Sequence, residues 1–222
     1  MPDVTEKLLY LLLGWLLGVL GSIFFDRFQR LRHRGEFTQG ALTEARALKF
    51  KMAIIAYRMR SYQGPLEDDF IAWVRPILEG YDGPDKDPNI TEAVRKLATM
   101  TPEQRRALHG AVCKPSVSPK PATYSLPFLE SQMSNLPLCP SDFQLRLLLM
   151  KEQLDYFNQE SRFFMGQYEK TFDPSIIGSN RDAVLANIEE ACERLAQRAR
   201  WITDAISELE NASKTGFRRE AS

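Results

Sequence analysis

An uncharged run of eighteen residues near the amino terminus constrains the fold most strongly. It reads LLYLLLGWLLGVLGSIFF and lies between Lys7 and Asp26. A helix of this length rises about 27 Å, close to the roughly 30 Å thickness of bilayer hydrocarbon. The run therefore predicts a transmembrane helix over residues 8–25, preceded by a short extracytoplasmic segment over residues 1–7.

A cleaved signal peptide and a buried core helix are the alternative interpretations of residues 8–25. A signal peptide has a basic start, a shorter apolar core and a small-x-small cleavage site. In this chain Asp3 and Glu6 outweigh Lys7, and no Ala-x-Ala sequence follows the run. We therefore expect a retained, single-pass signal anchor.

Basic residues follow the apolar run in a juxtamembrane segment over residues 26–40. Positive charge beside a span is retained on the cytoplasmic side of the membrane. We therefore expect the amino terminus outside and the rest of the chain in the cytoplasm, with a bacterial inner membrane favoured over a eukaryotic one. We also expect anionic lipid headgroups to bind four side chains of this segment. They are Arg27, Arg30, Arg32 and Arg34.

Small residues recur at four-residue intervals inside the apolar run. Gly14, Gly18 and Ser22 share one helical face, and Gly21 widens that face. Such a face lets two transmembrane helices pack closely, which predicts a homo-oligomer. The alternative is that these glycines are incidental, because glycine is common in transmembrane helices.

Apolar residues in the rest of the chain recur at the three- and four-residue spacing of α-helices, and no segment alternates like a β-strand. The predicted fold class is all-α, with a cytoplasmic helical domain over residues 41–212 and a frayed tail over residues 213–222. We expect a break between Gly35 and Gly40, because each glycine costs about 1 kcal/mol inside a helix. Three long helical rows of apolar residues, which we call seams, predict an antiparallel bundle within one chain or helix pairing between chains. They cover residues 41–62, 142–172 and 181–210.

The last of these seams has the heptad spacing of a coiled coil. It places Cys192 in the core, where cysteine behaves as a small apolar residue. The middle seam is interrupted only by Ser161. The positions of the last seam are Leu185, Ile188, Cys192, Leu195, Ala199, Ile202, Ile206 and Leu209.

Residues 63–140 form an irregular insertion that contains most of the prolines. Thr101 followed by Pro102 marks the start of one helix, because Thr is a good N-cap and Pro suits the first helical position. A Pro-rich loop over residues 113–140 has little periodicity, and loops of this length are usually functional or disordered. Short helices are predicted over residues 67–79, 91–100, 102–112 and 127–133.

The sequence contains no catalytic motif, and we expect neither a cofactor nor a metal. It has only two histidines, too few for di-iron bundles, zincins or helical metal phosphohydrolases. His109 and Cys113 are four residues apart and could face one metal, with Cys139 and Cys192 as further ligands, but Cys113 and Cys139 do not have the spacing of a zinc-ligand pair.

Acidic residues follow the basic segment along the chain. Residues 27–62 contain nine Lys and Arg against two Glu, whereas residues 66–92 contain eight Asp and Glu against two basic residues. The acidic stretch is either a solvated surface or a docking surface for a basic partner. Nucleic acid is not an expected partner, because the basic segment lies against the membrane. The docking residues would be Glu67, Asp68, Asp69, Asp82, Asp85 and Asp87.

These features favour a non-catalytic, membrane-tethered module for protein–protein interaction, such as an adaptor, scaffold or regulatory subunit. The expected partners are a protein, anionic membrane lipid and further copies of the chain. One alternative is an oligomerising membrane effector that permeabilises the bilayer. A lesser alternative is a helical enzyme that uses carboxylates.

Overall fold

The computed structural model describes residues 4–112 and 121–219, with side chains described for residues 11–111 and 121–214. Every regular element in these ranges is a helix, which confirms the all-α fold class. The elements are α1 (Val4–Gln63), α2 (Asp68–Gly80), α3 (Pro88–Thr99), α4 (Pro102–Val112), α5 (Pro127–Ser131), a 3₁₀ helix (Met133–Leu138), α6 (Ser141–Lys170) and α7 (Ser179–Arg219).

α1 is a single helix of 60 residues, which at 1.5 Å per residue is about 90 Å long. The predicted break between Gly35 and Gly40 is therefore wrong. No proline interrupts the helix. Burial of Phe37, Ala41 and Ala45 against the bundle offsets the cost of two helical glycines, about 2 kcal/mol in total. The apolar segment and the bundle consequently share one continuous helix.

α7 packs against both α1 and α6, and its apolar seam lies in the centre of the core. Seven of the eight predicted seam positions are buried: Ile188, Cys192, Leu195, Ala199, Ile202, Ile206 and Leu209. Leu185 is the exception, with 43% of its surface exposed. α1 ends at Gln63, whose side chain bonds the carbonyl of Glu189, so α1 does not extend to the level of Leu185.

Ion pairs show that α7 is antiparallel to α1. The guanidinium of Arg60 donates two hydrogen bonds to the carboxylate of Glu193, at 2.6 and 2.8 Å. Toward the other end of the pair, Glu210 accepts a bond from Lys49 at 2.8 Å. Residue numbers thus rise along α1 as they fall along α7. α7 also continues as a helix through residues 213–219, where the sequence predicts a frayed tail.

α6 lies on the other side of α7 and is also antiparallel to it. Arg194 Nε donates to the carboxylate of Glu160 at 3.0 Å, and Arg198 donates to Gln153 at 3.4 Å. Because α7 opposes both neighbours, α1 and α6 run parallel to each other.

Residues 121–126 run along α6 without helical structure and are held there by its side chains. Asn158 accepts a hydrogen bond from the backbone N–H of Tyr124 at 2.9 Å and donates one to the Tyr124 carbonyl at 2.8 Å. Ser161 is buried and donates to the carbonyl of Ala122 at 3.2 Å. Ser161 interrupts the apolar seam of α6 because its hydroxyl group supplies a hydrogen bond to the non-helical backbone that packs there. This part of the predicted loop is therefore packed, and residues 113–120 lie outside the described ones.

The short helix α5 is docked onto α1 through Gly40 and Glu44. Both carboxylate oxygens of Glu44 accept backbone N–H bonds at the start of α5, from Phe128 and Leu129, each at 2.9 Å. The Phe128 ring lies so close to α1 that a β-carbon on Gly40 would be 2.1 Å from ring atom Cζ. This close approach requires glycine at position 40.

We predict that Gly40→Ala destabilises the protein by about 1–3 kcal/mol, because the new methyl group overlaps the Phe128 ring. Gly35→Ala is the matched control on the same helix, since no other part of the chain lies within 4 Å of its β-carbon position. That control should gain up to about 1 kcal/mol from helix propensity. Urea unfolding of the detergent-solubilised chain, followed by circular dichroism, compares the two. Equal stability of both variants would contradict close packing of α5 on α1.

Candidate interaction site

The amino-terminal part of α1 is apolar and exposed. Its large apolar side chains between residues 11 and 31 are all exposed, so this segment is not a core helix of the bundle. It is long and apolar enough to cross a membrane. No neighbouring atom lies within 4 Å of the β-carbon positions of Gly14, Gly18 and Gly21. Ser22 bonds within the helix, to the carbonyl of Val19 at 2.9 Å. The predicted small-residue face is thus open in the single chain.

The four juxtamembrane arginines differ in exposure. Three of them are exposed: Arg27, Arg30 and Arg32. Only 8% of the Arg34 surface is exposed, because the continuous helix places it one turn before the buried Phe37, on the same face. Its charge lies near the Cys139 thiol. Three of the predicted headgroup-binding side chains therefore face outward, and the bundle encloses the fourth.

The six predicted acidic docking residues do not form one patch, because they lie at opposite ends of α2. At 13 residues this helix is about 20 Å long. The first group adjoins its start: Glu67, Asp68 and Asp69. The second group follows its end: Asp82, Asp85 and Asp87.

Three of these six residues have structural roles. Asp68 pairs with the buried Arg105 of α4. Asp85 pairs with Lys51 of α1 at 2.9 Å. Asp87 caps α3, accepting the N–H groups of residues 89 and 90 at 3.0 and 3.3 Å. The sequence does not reveal the first two roles, because the basic partners belong to other helices.

A cleft of about 890 Å³ lies between α1, α2, the α2–α3 loop, α5 and α7, and we call it the loop cleft. Its floor is aromatic, with the rings of Phe50 and Tyr81 stacked at a centroid distance of 4.3 Å. Gly83 permits this arrangement, because a β-carbon there would lie 2.2 Å from the Tyr81 hydroxyl. Ile77 and Phe128 add apolar surface. The loop cleft thus combines segments that are far apart in the sequence.

Charged side chains also line the loop cleft. Glu210 of α7 accepts hydrogen bonds from Lys49 at 2.8 Å and from Arg46 at 2.9 Å. Burial alone would raise the pKa of Glu210, but these two bonds outweigh burial and hold the pKa below its usual value. The loop contributes two carboxylates, those of Asp82 and Asp85.

A second surface combines arginines with aromatic rings on the outer side of α6 and α7, and we call it the aromatic surface. Arg198 lies 5.0 Å from the Tyr156 ring and 5.7 Å from the Trp201 ring. Arg194 lies 5.5 Å from the Phe163 ring. All three rings are exposed. The seven-residue spacing of Tyr156 and Phe163, which places both rings on one face of α6, is the signal of this surface in the sequence.

The histidine considered as a zinc ligand bonds the backbone of α1. The ring of His109 bonds the carbonyl of Ser61 at 3.1 Å, and Cys113 lies outside the described residues. Cys192 is buried in the core, as the heptad spacing predicts, and burial raises the pKa of its thiol to about 12. No group of three or more His, Cys, Asp or Glu side chains is placed to hold a metal in the described part of the chain.

Comparisons with protein-family models, with curated proteins and with solved structures found no match.

We predict that Glu210→Gln destabilises the bundle at neutral pH by about 1–2 kcal/mol, because Lys49 and Arg46 lose a charged acceptor. The pKa of Glu210 is lowered by folding, so its contribution is present above the ordinary pKa and is lost as pH falls through the lowered value. The difference between parent and variant should therefore shrink on acidification below pH ~4.5.

Glu208→Gln is the matched control, since Glu208 lies two residues away in the same helix and its side chain is 65% exposed. It should change stability little at any pH. Urea unfolding at a series of pH values measures both variants. A pH-independent deficit in Glu210→Gln would contradict the role assigned to its charge.

Proposed function

We propose that this protein is a membrane-tethered interaction module, an adaptor, scaffold or regulatory subunit that holds a partner protein at the cytoplasmic surface. The observation that carries the proposal is the continuity of α1, which runs from an exposed apolar segment into the core of the bundle without a break. A helix that is exposed and apolar at one end and packed at the other suits an anchor joined rigidly to a binding domain.

The continuity of α1 also limits the distance between the membrane and the bundle. The first buried apolar side chain, Phe37, is twelve positions beyond Phe25, where the apolar run ends. Along a helix this distance is about 18 Å. A partner bound to the bundle would thus be held close to the membrane and at a fixed height.

The orientation proposed for the chain is amino terminus outside and bundle in the cytoplasm, with a bacterial inner membrane favoured. The exposed side chains of Arg27, Arg30 and Arg32 directly follow the apolar run. Basic residues at this position favour cytoplasmic retention, and their exposure suits contact with anionic headgroups.

The aromatic surface and the loop cleft are the regions that suit a protein partner. Protein interfaces are enriched in Tyr, Trp, Phe and Arg, and residues of these types frequently contribute most of the binding energy. Arg198 between Tyr156 and Trp201 is such a group. These surfaces support a binding function.

We predict that a second protein copurifies in stoichiometric amount with the full chain from gently solubilised native membranes. Quantitative mass spectrometry after purification through a carboxy-terminal tag measures the ratio. The matched control mixes these membranes, before solubilisation, with isotope-labelled membranes from cells that lack the protein. A partner bound in the cell is recovered unlabelled, whereas a contaminant is recovered in both isotopic forms. Recovery of this chain without any stoichiometric unlabelled partner contradicts the proposal.

We propose further that copies of the chain associate through the small-residue face of α1. The observation in favour is that Gly14 and Gly18 have no neighbouring atom within 4 Å, so the face is free for a second helix. The same face would serve the second candidate function, an oligomerising membrane effector.

We predict that Gly14→Ile with Gly18→Ile lowers self-association in a bilayer, because the branched side chains separate the helix backbones. Leu12→Ile with Leu16→Ile is the matched control on the opposite face of the helix. Energy transfer between donor- and acceptor-labelled copies in vesicles measures association. Equal transfer in both double variants rules out this face as the interface. Ion leakage that depends on the same glycines would favour the effector over the adaptor.

A further inference from the structure

The loop cleft has the size and composition of a binding groove. Its volume of about 890 Å³ lies within the range of roughly 300–1,000 Å³ that ligand sites occupy. Tyr81, Ile77 and Phe128 are partly exposed and give it an apolar floor, and the Tyr81 ring stacks on the buried Phe50 ring. An occupant therefore needs apolar or aromatic groups to cover this floor.

The formal charge of the loop cleft is negative. Five carboxylates and two basic groups line it, and both basic groups, Lys49 and Arg46, bind the carboxylate of Glu210. Two more of the carboxylates pair with basic side chains beside the cleft, Glu36 with Arg32 and Asp85 with Lys51.

The negative charge that remains is that of Glu44 and Asp82. Glu44 bonds two neutral backbone N–H groups, which leave its formal charge uncompensated. Asp82 is exposed and forms no ion pair with the described residues around it. Charge complementarity thus calls for a cationic occupant.

We infer that the loop cleft binds a basic segment with apolar residues, from the cytoplasmic juxtamembrane region of a second membrane protein. This inference rests on the proposed function, since it requires the bundle to lie in the cytoplasm near the membrane. It assigns the partner's chemistry: Lys or Arg side chains beside Asp82 and Glu44, and Phe, Leu or similar side chains on the aromatic floor.

The position of the loop cleft along α1 favours a juxtamembrane segment as the occupant. Its lining residues on α1 run from Glu36 to Phe50, which is 11 to 25 residues beyond Phe25. Along a helix this is about 16 to 38 Å from the end of the apolar run. Cytoplasmic segments within about 15–20 residues of membrane spans are rich in Lys and Arg. An extended segment of that length reaches about 50 Å, which covers the distance.

A second copy of this chain does not fit the loop cleft as well. Copies anchored in parallel have their exposed arginines at equal height. Arg27 and Arg32 precede Glu36 by nine and four residues, which places them about 14 and 6 Å nearer the membrane than the lowest lining residue. The exposed juxtamembrane arginines of a neighbouring copy would thus lie below the cleft.

The test is binding of a fluorescent peptide to the full chain in phosphatidylcholine nanodiscs, which lack anionic lipid that would compete for the peptide. The probe is a short peptide of Lys, Arg, Phe and Leu, and fluorescence anisotropy reports its affinity. We expect Asp82→Lys to weaken binding about tenfold, Asp82→Asn to weaken it about threefold, and added salt to weaken it further.

Glu169→Lys is the matched control, because it makes the same change in net charge at an exposed site outside the cleft, near the carboxyl end of α6. It should leave the affinity within about twofold of the parent. Circular dichroism verifies that each variant is folded. Equal weakening by Asp82→Lys and Glu169→Lys would show a general charge effect and overturn the assignment to the cleft.

Two further peptides and one small molecule separate the possible occupants. A peptide with Glu in place of Lys and Arg should not bind, and one with Ser in place of Phe and Leu should bind more weakly than the probe. If the Ser peptide or spermine binds as tightly as the probe, the cleft is a simple cation site and the inference is overturned. Failure of the probe to bind overturns it as well.

Copurification distinguishes the failure of this inference from the failure of the proposed function. If the partner of the parent chain is recovered equally well with Asp82→Lys, the loop cleft is not the docking site, although the adaptor function stands. If the parent recovers no partner, the adaptor function fails, and peptide binding alone decides the chemistry of the cleft.

Discussion

The continuity of α1 is the constraint on which the other features depend. The helix is exposed and apolar through Phe25, continues through a short basic segment, and is buried on more than one side from Phe37 through Met59. Since an α-helix fixes both rise and rotation per residue, the direction of the small-residue face determines the direction of the loop cleft and of the contact with α7. Rotation or tilting of the apolar segment would be transmitted to the bundle without a flexible joint.

The packing around α1 explains several polar residues that helix periodicity alone does not. α7 covers one side with a nearly uninterrupted apolar seam. Residues 121–140 cover another part of the bundle, and much of this segment is not helical, so its backbone needs partners. Glu44, Asn158 and Ser161 supply them from the helices. From helix periodicity alone, these side chains would be predicted to face solvent or to interrupt an apolar face. In the structure they attach the irregular segment to the bundle.

Local signals predicted the helices, and contacts between distant residues decided what the sequence did not reveal. Thr101 accepts the N–H of Gln104 and Gln104 accepts the N–H of Thr101, so the predicted N-cap of α4 is confirmed. The break at Gly35 and Gly40 was wrong because glycine propensity is local, while the burial that stabilises the helix is not. The loop cleft could not be predicted, since its lining residues come from α1, α2, the α2–α3 loop, α5 and α7. The sequence identified the acidic residues. It did not reveal which of them form ion pairs within the fold, because the basic partners lie on other helices.

The titration of the buried groups bears on the choice between binding and catalysis. General acid–base catalysis works best when a group titrates near the operating pH. Glu210 has a lowered pKa because Lys49 and Arg46 bind it, and burial raises the pKa of Cys192 to about 12. Burial likewise raises the pKa of Tyr124. Folding thus moves the pKa values of these three groups away from neutral pH, so none of the three is suited to proton transfer near pH 7.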